Sequence, residues 1–448
     1  MKIRIIFNVR SAVTAVTLLF AVAIPAHANI IVVTNTNDSG PGSLRQAIIL
    51  ANNGDTIDFD PALNGQSVAL TSDELLISKN IAISGPGANL LTVARAQGVS
   101  NFRIFHITPS HTVTVQGLTI TNGSPGAGFG GGILNDGGTL SVINCTLSGN
   151  HSPLSGGGID NFAGESSGTL TVESSTLTGN LADDYGGGIA NLVSGPNNAT
   201  LTINNSTLSA NTGLAGGGIV NLSGGGSALV TVSNTTFSGN LAQFGGGIGN
   251  ARTSFGAAIV DIGNTIFKSG ASGENILNNS GSVISRGYSL SDDDAGGFLT
   301  GPGDQINTDP LLGPLQDNGG PTFTYALLPG SPAIDTGDPN FTPPPFFDQR
   351  GPGFNRVVNG RIDKGSFEVQ SSTGTPTPTA SPTSTPTATA TPTTTPTATA
   401  IVTATTTPTA TPTATATVTP TPTSTPRATP TPRSEPTPRG RPTPPPRP

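Results

Sequence analysis

Gly130-Gly-Gly-Ile133, followed by Thr139-Leu-Ser-Val-Ile-Asn-Cys-Thr-Leu-Ser-Gly-Asn150, is one unit of a pattern that recurs through the middle of the chain and decides its fold. The glycine triplet and its isoleucine return at residues 156–159, 186–189, 216–219 and 245–248, so successive isoleucines stand 26, 30, 30 and 29 residues apart. An asparagine follows each isoleucine two places on, at Asn135, Asn161, Asn191, Asn221 and Asn250. The second motif returns at residues 169–180, 200–211 and 229–240, with a looser copy at 112–122. Three consecutive glycines exclude a helix interior. Between the triplets, apolar and small polar residues alternate with an excess of β-branched types, which is the period of a strand with one face inward.

Aligning the second motif on its last asparagine puts Leu140, Leu170, Leu201 and Val230 in one apolar column. Val142, Val172, Ile203 and Val232 form the next, and Leu147, Leu177, Leu208 and Phe237 a third. A unit of this length cannot bury its apolar side alone, so it must stack on copies of itself. The all-β stack that does so is a parallel β-helix, with equivalent residues about 4.8 Å apart up the ladder. Asn150, Asn180, Asn211 and Asn240 then form an amide ladder at one turn, each bonding the coil above and below. The asparagines after the isoleucines make a second such column. The span 56–290 has room for roughly eight turns of this size.

The same alternation points Ile143, Glu173, Asn204 and Ser233 outward, and with them Thr146, Thr176, Thr207 and Thr236. Leu177→Asp is therefore expected to destabilise the stack and Thr176→Asp to be tolerated. Cys145 shares a column with Ser175, Ser206 and Thr235, which marks it as a small packed side chain.

Five segments follow. Residues 1–28 read as a signal peptide: Lys2, Arg4 and Arg10 precede a short apolar run, and Ala26-His27-Ala28 supplies a cleavage pattern. Residues 29–55 read as an N-terminal cap around a short helix. There Ser43 and Gln46 have capping-box spacing, and Leu44, Ala47, Ile48 and Ala51 share a face. Residues 56–290 are the repeats, and 291–372, aperiodic and Pro-rich, read as a C-terminal cap. Residues 373–448, which hold 20 of the 39 prolines, read as a disordered Pro/Thr-rich stalk. Its 76 residues reach roughly 240 Å when fully extended.

The chain has a net charge of −7, and setting aside the +3 of the leader and the +4 of the stalk leaves −14 on residues 29–372. An acidic body argues against nucleic acid and permits divalent cations. No segment is long and apolar enough for a transmembrane span, and a monomer is expected.

Little catalytic chemistry is legible. The regular coils show no clustered carboxylates with a basic partner, and the chain has no Trp for sugar stacking. Glu173 reads as a solvated strand residue. His106 and His111 flank a predicted turn, and no metal-ligating histidine cluster accompanies them. Asp292, Asp293 and Asp294, where the repeat decays, are the candidate Ca²⁺ ligands, although they lack the alternating spacing of a calcium loop. No other cofactor is expected.

The glycine–isoleucine motif paired with Phe237-Ser-Gly-Asn240 resembles the repeats of the polymorphic outer-membrane proteins, with Gly for Ala and mostly Leu for Phe. That resemblance implies a right-handed parallel β-helix, pectin-lyase-like, at the cell surface. Residues 33–48 are similar to the CSLREA-type N-terminal segment without its Cys. Residues 309–322, Pro329-Gly-Ser-Pro-Ala-Ile-Asp335, Asp348-Gln-Arg-Gly351 and 363–368 together resemble the choice-of-anchor Q domain. These resemblances imply a secreted or surface-displayed protein. The expected function is adhesion or envelope structure without catalysis, with an extracellular glycan or protein as partner. The alternative is a polysaccharide-binding or polysaccharide-cleaving β-helix, its site in the irregular loops at Tyr185 or around Asp292.

Overall fold

The computed structural model describes residues 28–370; the stretches read as signal peptide and stalk lie outside the described residues, apart from residue 28. The described chain winds into a right-handed parallel β-solenoid whose strands form three long sheets of ten, nine and eight strands. Each turn visits the sheets in the same order, and nine turns pass through the nine-stranded sheet. The ten-stranded ladder begins before the helix, because Ile30–Val33 pairs with Thr56–Phe59. Residues 29–55 thus hold the first strand of the stack as well as a cap.

Identical residues stack as the repeat requires. Leu140 pairs with Leu170, Leu170 with Leu201 and Leu201 with Val230, while Ile159, Ile189, Ile219 and Ile248 run up the eight-stranded sheet. All are buried in one continuous core, which owes its stability to apolar area removed from water. Cys145 is packed within that core, where burial pushes its thiol up to about 12.

The glycine triplets have a backbone cause. Gly156 sits at φ 66°, and a Cβ there would lie 2.5 Å from the Ile159 carbonyl oxygen. Gly158 faces the Gly188 carbonyl of the next coil, which would be 2.6 Å from a Cβ. Neighbouring coils therefore approach more closely at this corner than any side chain permits.

Both asparagine columns are hydrogen-bonded ladders inside the stack. Asn150 donates its side-chain amide to Asn180 Oδ1 at 3.0 Å, Asn180 to Asn211 at 2.9 Å and Asn211 to Asn240 at 3.0 Å. The other column runs from Asn135 to Asn161, Asn191, Asn221 and Asn250 with separations of 2.7 to 2.9 Å, and continues to Asn278.

Each end of the stack is plugged. The helix Leu44–Leu50, capped where Ser43 Oγ accepts the Gln46 amide, sends Leu44, Ala47 and Ile48 into the core. At the far end Ala295 and Leu299 enter the same core.

Residues 309–370 are not an end cap. They lie along the outer side of the nine-stranded sheet and reach back over its coils. Lys364 Nζ donates to the Ser289 carbonyl, Asn264 Nδ2 to the Asp363 carbonyl and the Ser366 amide to Thr236 Oγ1. Farther back, Thr207 Oγ1 donates to Gln349 Oε1 at 2.6 Å and Thr176 Oγ1 to the Phe323 carbonyl at 2.7 Å. Thr176, Thr207 and Thr236 point out of the coil as alternation demands, yet they are buried, because alternation says nothing about what lies over an outward face. Within this layer Arg350 pairs with Asp348 and is sandwiched between Phe354 and Phe367, 3.9 and 3.8 Å from the ring centroids.

Candidate functional site

The outer face of the eight-stranded sheet is set by the residue between each isoleucine and its ladder asparagine. Register aligns Leu76, His106, Leu134, Asp160, Ala190, Val220, Gly249 and Leu277 in one outward column. Asp136, Phe162, Leu192, Leu222, Ala251 and Asn279 form the other. Beside them a corner column runs from Ser155 through Tyr185 and Ala215 to Phe244.

The face divides into two parts. From Ala190 onward it is apolar, and a cleft of about 220 Å³ is lined by Tyr185, Val220, Leu222, Phe244, Ala251 and Leu277. Tyr185 and Phe244 are 40% and 45% exposed, well above a packed aromatic. Tyr185, offered by the sequence as a landmark of an irregular loop, stands on the rim of this cleft.

Toward the N-terminal end the face becomes charged. Glu74 immediately precedes the strand Leu75–Ile77, and Arg103 lies two residues before the strand Phe105–Ile107. His106 Nδ1 lies 2.8 Å from Glu74 Oε1, and Arg103 Nε lies 3.4 Å from Glu74 Oε2. Burial acts to raise the Glu74 carboxyl, but the His106 hydrogen bond and the Arg103 charge outweigh it and hold it below its ordinary 4.5. His106 is thus a strand residue, and it and His111 flank the turn at 109–110 as the sequence suggests.

Asp160 sits two rungs up the ladder from His106, roughly 10 Å away at the usual strand spacing. It is fully buried and accepts the Ser155 hydroxyl, while its Oδ1 has no partner. Burial pushes its carboxyl up to about 7, against the opposing pull of Ser155 and Arg103 and with a further push from Asp136. His106 Nε2 also lacks a partner, and Arg103 Nε makes no hydrogen bond despite its ion-pair distance. Three polar atoms without a hydrogen-bond partner thus lie buried along two rungs at one end of the apolar strip. On the packing side, Phe129 stacks on Phe162 with centroids 5.4 Å apart.

The other sequence candidates lie elsewhere. Asp292 accepts from the Ser269 amide and hydroxyl, and Asp293 from the Asn275 and Ala295 amides, which with the Ser291 hydroxyl hold it below its ordinary range against burial. Asp294 caps the turn Ala295–Gly297. The triplet uses its oxygens to fasten the C-terminal plug. The ladder asparagines from Asn135 to Asn250 are interior, and the added rung Asn278 is half-buried. Glu74, Arg103, His106, Asp136 and Asp160 went unread as a group in the sequence. One signal was available, because Asp160 is the sole charged residue among the five isoleucine-x-asparagine triplets.

No helix among the described residues is long and apolar enough to cross a membrane. No family model matches the chain, and no curated protein matches it. Among solved structures the fold is similar to the crystal structure of pectate lyase Pel9A, with a TM-score of 0.42, 16% identity, and coverage of 76% of this chain and 96% of that one.

Proposed function

We propose that this protein is a secreted β-solenoid that holds an extended polysaccharide along the outer face of its eight-stranded sheet, without cleaving it, in the service of adhesion or envelope structure. The observation that carries this reading is the continuity of that face. An apolar strip with two half-exposed aromatic rings leads on to the partly exposed Glu74–His106 pair at the N-terminal end of the same face. Pyranose rings present apolar faces for stacking and hydroxyls for hydrogen bonding, and the strip offers both along one line. Residues 309–370 lie over the nine-stranded sheet from the Thr176 coil onward and away from the Tyr185–Phe244 cleft. The net −14 of the body favours a neutral glycan over a polyanion.

The test is affinity electrophoresis and calorimetry of the full chain against a panel of neutral and acidic polysaccharides, with product analysis on each. Saturable binding without release of reducing or unsaturated ends supports the reading. Absence of binding to every glycan removes it. A second reading has its own observation: a carboxyl near 7 and a His–Glu pair two rungs away are the materials of general acid–base cleavage. Turnover abolished by Asp160→Asn establishes that reading instead.

A further inference from the structure

Two of the aperiodic motifs in residues 329–368 converge, away from the eight-stranded face, on one spot. Asp335 ends the first, and the segment 363–368 brings Asp363 and Glu368. One carboxylate oxygen from each of Asp335, Asp363 and Glu368 lies within 4.8 Å of the other two. Asp363 and Glu368 are fully buried, whereas Asp335 is half-buried and opens the cluster to solvent.

Backbone donors hold the oxygens in place. The Asp335 amide donates to Asp363 Oδ1 at 2.6 Å, the Val369 amide to Asp363 Oδ2 at 2.7 Å and the Asp363 amide to Glu368 Oε2 at 2.8 Å. The Val358 amide also approaches the Glu368 carboxyl, yet Oε1 has no well-aligned donor, although no part of the residue reaches solvent. A buried carboxylate oxygen without a donor costs several kcal/mol unless something absent from the protein atoms meets it.

The charges point to what that is. Asp348 is matched by Arg350. Among the described residues, Asp335, Asp363 and Glu368 face one further buried guanidinium, Arg356, whose Nη2 donates to the Asp363 and Gly365 carbonyls and to Asn234 Oδ1. Three carboxylates against one guanidinium leave a formal deficit of two positive charges.

We propose that Asp335, Asp363 and Glu368 form a Ca²⁺ site that clasps the lateral C-terminal layer. An all-oxygen set without His or Cys excludes the N/S-preferring metals. Oxygens about 2.4 Å from a common ion stand up to about 4.8 Å apart, and Ca²⁺ accepts the irregular six to eight contacts that three carboxylates and solvent entering past Asp335 provide. The ion would join the 329–335 loop to the 363–368 turn, and through Arg356 and Asn264 the layer to the solenoid.

The experiment is Ca²⁺ titration of the chelator-treated full chain by calorimetry, with thermal unfolding in Ca²⁺ and in EDTA. One ion per chain, a melting point several degrees higher in Ca²⁺, and binding at least tenfold weaker in Glu368→Gln and in the half-exposed Asp335→Asn are expected. Asp335→Asn tests the site without disturbing the buried core, and its melting point in EDTA should match the parent. Absence of Ca²⁺ binding by the parent chain overturns the proposal. So does binding that both variants retain, which would place the ion elsewhere.

Discussion

Thr176 donates its hydroxyl to the carbonyl of Phe323, 147 residues further along the chain, and accepts from Gln349 Nε2 at 2.8 Å. A threonine that strand alternation assigns to the solenoid's outside is thus the anchor of a second layer. Thr176→Val takes one hydrogen bond each from the Phe323 carbonyl and the Gln349 side-chain amide, which remain bonded to each other, and should cost about 1–2 kcal/mol. Thr176→Asp should cost more, because a carboxylate cannot donate to Phe323 and is desolvated there. Thr171→Val, on the uncovered ten-stranded face, should stay within about 0.5 kcal/mol of the parent. Denaturant melts of the three variants decide it, and equal midpoints for Thr176→Val and Thr171→Val would refute the lateral layer.

Asn180 is an interior rung whose loss has neighbours on both sides. It donates to Asn211 Oδ1 and the Leu147 carbonyl, and its Oδ1 accepts the Asn150 amide and side chain. Asn180→Ala strands several buried groups at once, so the expected loss is about 2–4 kcal/mol. Asn278→Ala, at the half-buried end of the other ladder, should cost less than half as much. Hydrogen exchange should show the Asn180→Ala loss spreading to the coils of Asn150 and Asn211, since each coil touches only its neighbours.

Asp160 makes stability depend on pH in a defined direction. Its carboxyl titrates near 7 in the folded protein against an ordinary 3.8, so between these values the folded state holds a proton that the unfolded chain has released. The stabilisation is complete below about 3.8 and is lost as pH rises through about 7. For a fully buried group, a shift of this size corresponds to roughly 4 kcal/mol. Asp160→Asn should remove that dependence, so the parent should fall behind the variant in melting point as pH climbs from 4 to 8. A constant difference between the two across that range would show that Asp160 is not the group responsible.

The stack was legible because its evidence is repetitive. Identical residues in identical columns fix register, and glycine triplets fix the corner. What lay outside the repeat was legible only in part. Ser43 and Gln46 marked the helix through local capping, but residues 309–370 touch coils up to 173 residues away through single hydrogen bonds, and no periodicity records such contacts. The charged end of the open face suffered from the same cause. Leu75–Ile77 and Phe105–Ile107 precede the first glycine triplet, so motif alignment offers no register that would bring Glu74, Arg103 and His106 beside Asp160. Only the backbone pairing of Leu76 with His106 and of His106 with Leu134 supplies it.

Tyr185 and Phe244 provide the sharpest separation of ligand binding from folding. Both line the apolar cleft, and both are exposed enough that truncation removes little core packing. Tyr185→Ala and Phe244→Ala should each weaken glycan affinity about five- to thirtyfold, the loss of one stacking platform at roughly 1–2 kcal/mol, and the pair should do so near-additively. Melting points should remain within a few degrees of the parent. His106→Ala should reduce affinity for the same glycan by a comparable factor if the ligand runs along the whole face, because it removes a polar contact at the opposite end of the strip. Binding insensitive to His106 but lost with Tyr185 would confine the ligand to the apolar half, and binding insensitive to all three would move it to the threonine face of the ten-stranded sheet.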